Sequence, residues 1–440
     1  MNERFALAKA PRYAIADARI LPSALAVAMS PTDRDGFARV DIVIENGRVA
    51  AMSPASSANI GDLPRLTMAG RIALPLFVDA HTHLDKAHIW PRAPNPNGTF
   101  EAARDIVPRD RQAHWTAADV ARRMDFGLRS AYANGTRAIR THIDSVGPQI
   151  EVSWPVFGEM RRRWLGRLDI QAAPLFPVDY VFDEAHMAAI EAMIEAHGSK
   201  ILGAVTFMVP RLREALGELF RLASRKGWDL DFHVDETHDP AACSLDAIAQ
   251  TAIEQRFAGR VLVGHCCSLA RRDAGEAGRA IELVARARLS VVSLPMCNMF
   301  LQDRGEGRTP RWRGVTALHE LKAAGAPVMI ASDNVRDPFY AYGDLDMLEV
   351  WREGVRILHL DYPFAAWAPA VSAAPARAMG VDATALAVGA PADLILTGAR
   401  DFTELFARPH SDRSVLRAGR PVVAPAPEFA ELDDLEGLAP

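Results

Sequence analysis

Cysteine is scarce in this chain: Cys243, Cys266, Cys267 and Cys297 are the only four in 440 residues. Two of them are adjacent and none forms a C-x-x-C pair, so a disulfide framework is a poor fit and a reducing compartment, the cytoplasm, is the expected setting. Long apolar runs are missing too; none reaches the ~18 residues that a membrane-spanning helix needs. The first twenty residues show no continuous apolar core followed by small residues, so no secretory leader is expected. An excess of either charge is also lacking. With 50 Lys and Arg against 55 Asp and Glu, the formal net charge of −5 recruits neither nucleic acid nor an anionic membrane by bulk attraction. No fixed-period repeat or low-complexity tract interrupts the chain.

What remains is ordinary globular composition, 49% hydrophobic and 24% charged, long enough for one large domain or two. Residues 40–52 alternate around Asn46-Gly47, a strong hairpin signal. From residue 72 the rhythm changes. Short β-branched runs at 72–80, 137–144, 168–176, 201–209, 230–234, 260–264, 289–294 and 328–332 alternate with helical stretches such as 117–133, which has Thr116 as its N-cap and Gly135 near its end. Eight β-then-α units predict an α/β fold of the closed (β/α)8 TIM-barrel type, with an open doubly wound sheet as the alternative. Short strands return beyond residue 380. The expected organisation is a catalytic barrel over 71–380 and a small β-sandwich domain built from both chain termini, 1–70 and 381–440. The acidic tail that starts at Glu428 is expected to be loose.

In a parallel barrel the reactive groups sit at the C-terminal ends of the strands. Strand one ends in His81-Thr82-His83-Leu84-Asp85, strand two in His142 and Asp144, strand five in His233-Val234-Asp235-Glu236, strand six in His265 and strand eight in Asp333-Asn334. With thirteen histidines, chance supplies about 0.4 H-x-H triplets per chain of this length, so the triplet counts only through its position after an apolar strand. His81 and His83 are two apart on an extended segment and share a face. His233 and Asp333 can close a site for one divalent ion, zinc or iron, with a position left open for water. Such an ion lowers the pKa of water to about 7. Glu236 is the candidate to carry a proton to a substrate ring nitrogen, Asp333 to accept the water proton, and His265 to orient the nucleophile or steady developing charge. His142 ends a barrel strand without an assigned role, and the roles of Asp85 and Asp144 stay open. The pattern H-x-E with P-C-x-x-C of the other zinc-deaminase architecture is absent.

These residues resemble the amidohydrolase superfamily, and within it the cytosine deaminase-like branch. The matching pieces are Phe77 to Asp85, Arg140 to Asp144, His233 to Glu236, Gly264-His265, Asn298 to Gln302 before Arg304, and Ser332 to Tyr340. The ordered set spans nearly the whole chain. The resemblance implies one metal ion on His81, His83, His233 and Asp333, with proton transfer by Glu236 assisted by His265 and Asp333. Two-metal relatives carry a modified lysine at the end of strand four. Here 201–209 has no lysine, which implies the mononuclear form.

The departures concern the substrate. Where cytosine deaminases carry F-P-Q-E, this chain has Phe176-Pro177-Val178-Asp179, and Val178 can neither donate nor accept a hydrogen bond. Asn334 replaces an aspartate, Arg336 an aromatic residue and Phe339 a tryptophan. Val178, Gln302, Asn334 and Arg336 are the candidate substrate-binding residues. The expected activity is deamination of a small amino-substituted heterocycle other than cytosine, such as a pterin or isoguanine, with an oxo or carboxylate group facing Arg336. Hydrolysis of a cyclic amide or an N-alkylamino ring is the second reading and non-catalytic metal binding the third. The expected partner is the small heterocycle alone; self-association stays open.

Overall fold

The computed structural model describes residues 10–56, 60–382, 385–408, 412–423 and 425–436. The start of the segment inspected for a leader and the last four residues of the tail lie outside them. Eight parallel strands alternate with helices: β1 (Phe77–Thr82), β2 (Thr136–Asp144), β3 (Asp169–Leu175), β4 (Ile201–Thr206), β5 (Asp229–Val234), β6 (Val261–His265), β7 (Ser290–Ser293) and β8 (Val328–Ile330). They form a three-stranded and a five-stranded parallel sheet. The parallel bridges Pro177–Val205 and Thr82–Asp333 join the two sheets at both seams, so the barrel closes as the repeat count predicted.

Two features of this frame position the site. Val78, Ala80, Ala138, Leu262, Val292 and Met329, from five strands, pack with one another and with helix Ala373–Met379, which fills part of the barrel with apolar side chains. The β5–β6 register then sets His233 beside Gly264 and Val234 beside His265.

The predicted first strand, 72–80, is two pieces. Pro75 has no N–H to give a ladder, and Ala73–Leu74 on its near side pairs antiparallel with Leu394–Thr397 instead of joining β1. That contact belongs to a four-stranded sheet completed by Arg413–Arg417 and Arg420–Pro421. A second four-stranded sheet is built on Arg12–Ile20 and Ala38–Glu45. Ile15, Val40, Ile42 and Ile44 from the N-terminal side share a core with Leu394, Leu396 and Leu416 from the C-terminal side. The Asn46-Gly47 hairpin forms: Glu45 pairs with Arg48, and both turn residues have positive φ, 51° and 80°. Among the described residues no helix is long and apolar enough to cross a membrane.

The tail is docked, against expectation. Its acidic residues meet arginines that sequence order does not reveal: Arg122 pairs with Asp434 and Arg129 with Glu431, each at 2.6 Å, on helix Ala117–Ala133. Phe429 stacks on Phe126 at 5.7 Å between centroids and lies 4.2 Å from the Arg336 guanidinium carbon. Phe429→Ala is expected to lower stability by about 1 kcal/mol, because ring contacts with Phe126 and His88 and one half-exposed cation–π contact are removed. Urea unfolding measures it, and an unchanged midpoint would show that the tail contributes no packing.

Candidate metal centre

The strand ends bring the predicted residues together, and the backbone is bent to do it. Asp235, His265, Cys266 and Asp333 all have positive φ, from 48° to 69°, a region that side chains other than glycine's rarely adopt. Such strain persists only where surrounding bonds enforce it. Here Asp333 N–H donates to the His81 carbonyl at 2.9 Å, and Thr82 Oγ1 donates to the Asp333 carbonyl at 2.8 Å. Cys266 N–H donates to the Val234 carbonyl at 2.8 Å. Gly264 is needed for space, since a Cβ there would lie 2.9 Å from His81 Cε1.

His81 Nε2 lies 3.1 Å from His233 Nε2, which lies 3.2 Å from His83 Nε2. Asp333 Oδ1 is 3.5 Å from His81 Nε2 and 3.2 Å from His83 Nε2. All four side chains are buried. Burial, and then neighbouring positive charge on other histidines and Lys86, holds the three imidazoles well below their usual pKa, so they present neutral nitrogen lone pairs. Burial pushes Asp333 up to about 7, against the lowering effect of the neighbouring Cys297 thiol. Lone pairs converging at this spacing, with too few protons to share, repel one another unless a cation lies between them. In a tetrahedral zinc site with bonds of about 2.1 Å the ligand atoms lie about 3.4 Å apart. The donor set therefore fits a divalent ion.

His142 joins the cluster as a fourth imidazole, with its ring 4.0 Å from that of His81. Its Nε2 is 3.0 Å from Asp231 Oδ1, and Arg140 Nη1 holds Asp231 Oδ2 at 2.8 Å. Asp85 and Asp144 form a buried network beside it. Asp85 accepts from Asp144 N–H at 2.8 Å, and Asp144 pairs with Lys86 at 2.9 Å and Arg111 at 3.0 Å. Burial works to raise Asp144, but the two cations outweigh it and hold the carboxyl low. Sequence reasoning gave no role to Asp231 or Lys86. Asp231 lies two residues before His233 on the same strand face, and that parity was its only signal.

The two acids after His233 separate cleanly. Asp235 caps helix Ser244–Glu254, accepting from Ser244 N–H at 2.9 Å and Leu245 N–H at 3.0 Å. Glu236 instead faces His265, with Oε1 3.3 Å from Nδ1, and burial followed by the charge of Asp333 pushes its pKa well above the ordinary carboxylate range. It is thus built to hold a proton that it can give away.

The cluster opens onto a cavity of 690 Å³ whose walls include His233, Glu236, Gln302, Phe100, Phe207 and Trp312. His238 lines it as well. Of the four candidate substrate residues only Gln302 does. Val178 is fully buried, Asn334 Nδ2 donates to Asp337 at 2.7 Å, and Arg336 sits over Phe429. The expectation that Arg336 meets a substrate oxygen or carboxylate therefore has no geometric support: the docked tail takes up its side chain.

Residues 162–423 match the model of an amidohydrolase family. The chain is 48% identical to a pterin deaminase of Rhizobium rhizogenes (strain K84 / ATCC BAA-868), over 97% of this chain and 98% of that protein. Its fold superposes on that of 5-methylcytosine deaminase from Klebsiella pneumoniae liganded with 5-fluorocytosine with a TM-score of 0.80 at 23% identity, covering 94% and 98% of the two chains. The N-isopropylammelide isopropylaminohydrolase from Burkholderia multivorans ATCC 17616 aligns with a TM-score of 0.70 at 26% identity over 94% and 98%.

Proposed function

The chain belongs to the amidohydrolase family, and we propose that it is a metal-dependent hydrolase of a carbon–nitrogen bond that removes the exocyclic amine of a pterin-like ring. The observation that carries this reading is the chain of contacts at 3.1–3.5 Å that links three Nε2 atoms and one carboxylate, from His233 to His81 and His83 and from both of these to Asp333, beside Glu236 at the wall of a cavity large enough for a bicyclic ring. The 48% identical pterin deaminase supports that choice of ring.

His81, His83, His233 and Asp333 would hold zinc or iron, which suit imidazole and carboxylate donors. Such an ion, when bound, makes water acidic enough to attack near neutral pH. The chain's own groups then move the protons. Water oxygen bonds to the carbon that bears the amine while Glu236 gives its proton to the adjacent ring nitrogen. Asp333 takes a proton from the water and passes it on to the departing nitrogen. The carbon–nitrogen bond breaks, ammonia leaves, the remaining hydroxyl proton returns to Glu236, and the ring keeps the oxygen as an oxo group. His265 steadies charge on the attacking oxygen. Four free cysteines agree with a reducing compartment, and the cytoplasm stays part of the proposal.

The test is ammonia release from zinc- or iron-loaded protein across aminopyrimidines, aminopurines, pterins and aminotriazines. A pterin is expected to exceed cytosine in kcat/KM by at least about tenfold, the scale of selectivity that ring contacts supply. Cytosine as the best substrate overturns the reading. Release of an alkylamine in place of ammonia favours the N-alkylamine alternative, which the Burkholderia structure keeps in view.

A further inference from the structure

Helix Pro295–Leu301 begins at the end of β7, and its fourth residue, Asn298, is fully buried between the two proton-handling groups. Asn298 Nδ2 lies 3.1 Å from Glu236 Oε1 and 2.9 Å from His265 Nδ1. An amide nitrogen has two hydrogens and no lone pair to offer, so it donates to both neighbours at once. A nitrogen that accepts from Asn298 cannot carry a proton, and in a neutral imidazole the proton must then sit on the other ring atom. His265 Nε2, buried and without a partner among the described residues, belongs to the group formed with His81 and Asp333.

We infer that Asn298 is a positioning residue that fixes His265 as the Nε2–H tautomer, with its donor turned toward the reacting atoms, and holds the Glu236 carboxyl beside it. The alternative it suppresses is already poised. His265 Nδ1 is 3.3 Å from Glu236 Oε1, so an Nδ1–H tautomer would bond to Glu236, engage the proton carrier and turn a lone pair toward the site. The same helix supports Glu236 from a second point, where Gln302, which follows its last residue, directs Nε2 at the Glu236 carbonyl at 3.4 Å. The backbone is committed as well: Asn298 N–H donates to the Leu294 carbonyl at 3.0 Å and its carbonyl accepts from Gln302 N–H at 2.9 Å, so the side chain has one approach to the pair. The role in turnover rests on the proposed deamination, but the tautomer does not.

The experiment uses the zinc-loaded full-length protein with 15N-labelled histidine, and His265 is identified by the signals lost in His265→Gln. Imidazole 15N shifts report which ring nitrogen carries the proton. Wild type is expected to show Nε2–H. Asn298→Asp keeps the shape but replaces the donor with an acceptor, and is expected to move the proton to Nδ1. Its kcat, on whichever substrate the panel finds, is expected to fall about 100-fold, the scale of one general acid–base or charge-stabilising contact, with KM within about threefold and zinc content unchanged. Asn298→Ala is expected to give the His265–Glu236 pair and the Nδ1–H signal too, and serves if the aspartate variant does not fold. An Nδ1–H signal in wild type overturns the inference, because it means that the amide is turned the other way. So does an unchanged tautomer in both variants. If no substrate in the panel is turned over, the deamination proposal fails by itself while the nitrogen shifts still decide this one.

Discussion

Glu236→Gln keeps the ion and lowers kcat by about 10²- to 10⁴-fold, the range spanned by loss of one positioned acid–base group. The substitution isolates the proton. Glutamine occupies the same volume, its carbonyl oxygen can still accept from Asn298 Nδ2, and no member of the His81, His83, His233 and Asp333 set is altered. What disappears is the acid. Glu236 holds its proton because burial and the neighbouring Asp333 charge disfavour the carboxylate, and a glutamine amide has no proton of comparable acidity to give to a ring nitrogen. Ring binding needs the cavity walls and not the proton, so KM is expected to change less than kcat. The measurements are ammonia release under saturating substrate and metal content by atomic absorption. A variant retaining more than about a tenth of wild-type kcat with its ion in place would move the acid role to another group.

The residues that end barrel strands were legible in the sequence because two local signals coincide there: a short β-branched run, and polar residues directly after it. His81, His83, His233, His265 and Asp333 all carry both. Relations set by register and docking were not legible. Asp231 holds His142 across 3.0 Å although 89 positions separate them, and only the closed barrel puts β2 and β5 side chains in one lumen. Lys86 reads as one charge in a loop until Asp144 appears at 2.9 Å. Arg336 looked like a substrate contact because it replaces an aromatic residue three positions beyond Asp333 in the motif, but its guanidinium lies over the ring of the distant Phe429. Val178 and Asn334 do not line the cavity either: the substitution is visible in sequence, but whether the position borders open space is a property of packing. Pro75 was the opposite case, a local signal in plain view that an apolar run concealed.

Asp333→Asn is expected to abolish measurable turnover, a loss of more than about 10⁴-fold, since one change removes both an ion ligand and the proton acceptor. Replacing even an outer-shell partner of a metal ligand typically weakens metal affinity by about 10–100-fold, and a direct ligand is expected to exceed that. The less obvious half of the prediction concerns the protein without its ion. Asp333 sits buried with only the weak Cys297 thiol as a side-chain donor, and burial pushes its pKa up to about 7 because the uncharged form is favoured there. Asparagine carries no charge to bury. The ion-free variant should therefore unfold at the same temperature as the ion-free parent or a higher one. In the parent, zinc at a thousandfold over its Kd adds about 4 kcal/mol of stability. In the variant the same zinc concentration should add little. An ion-free variant that melts well below the ion-free parent would show that Asp333 stabilises the barrel directly, and the convergence of His81, His83, His233 and Asp333 would then need no cation to account for it.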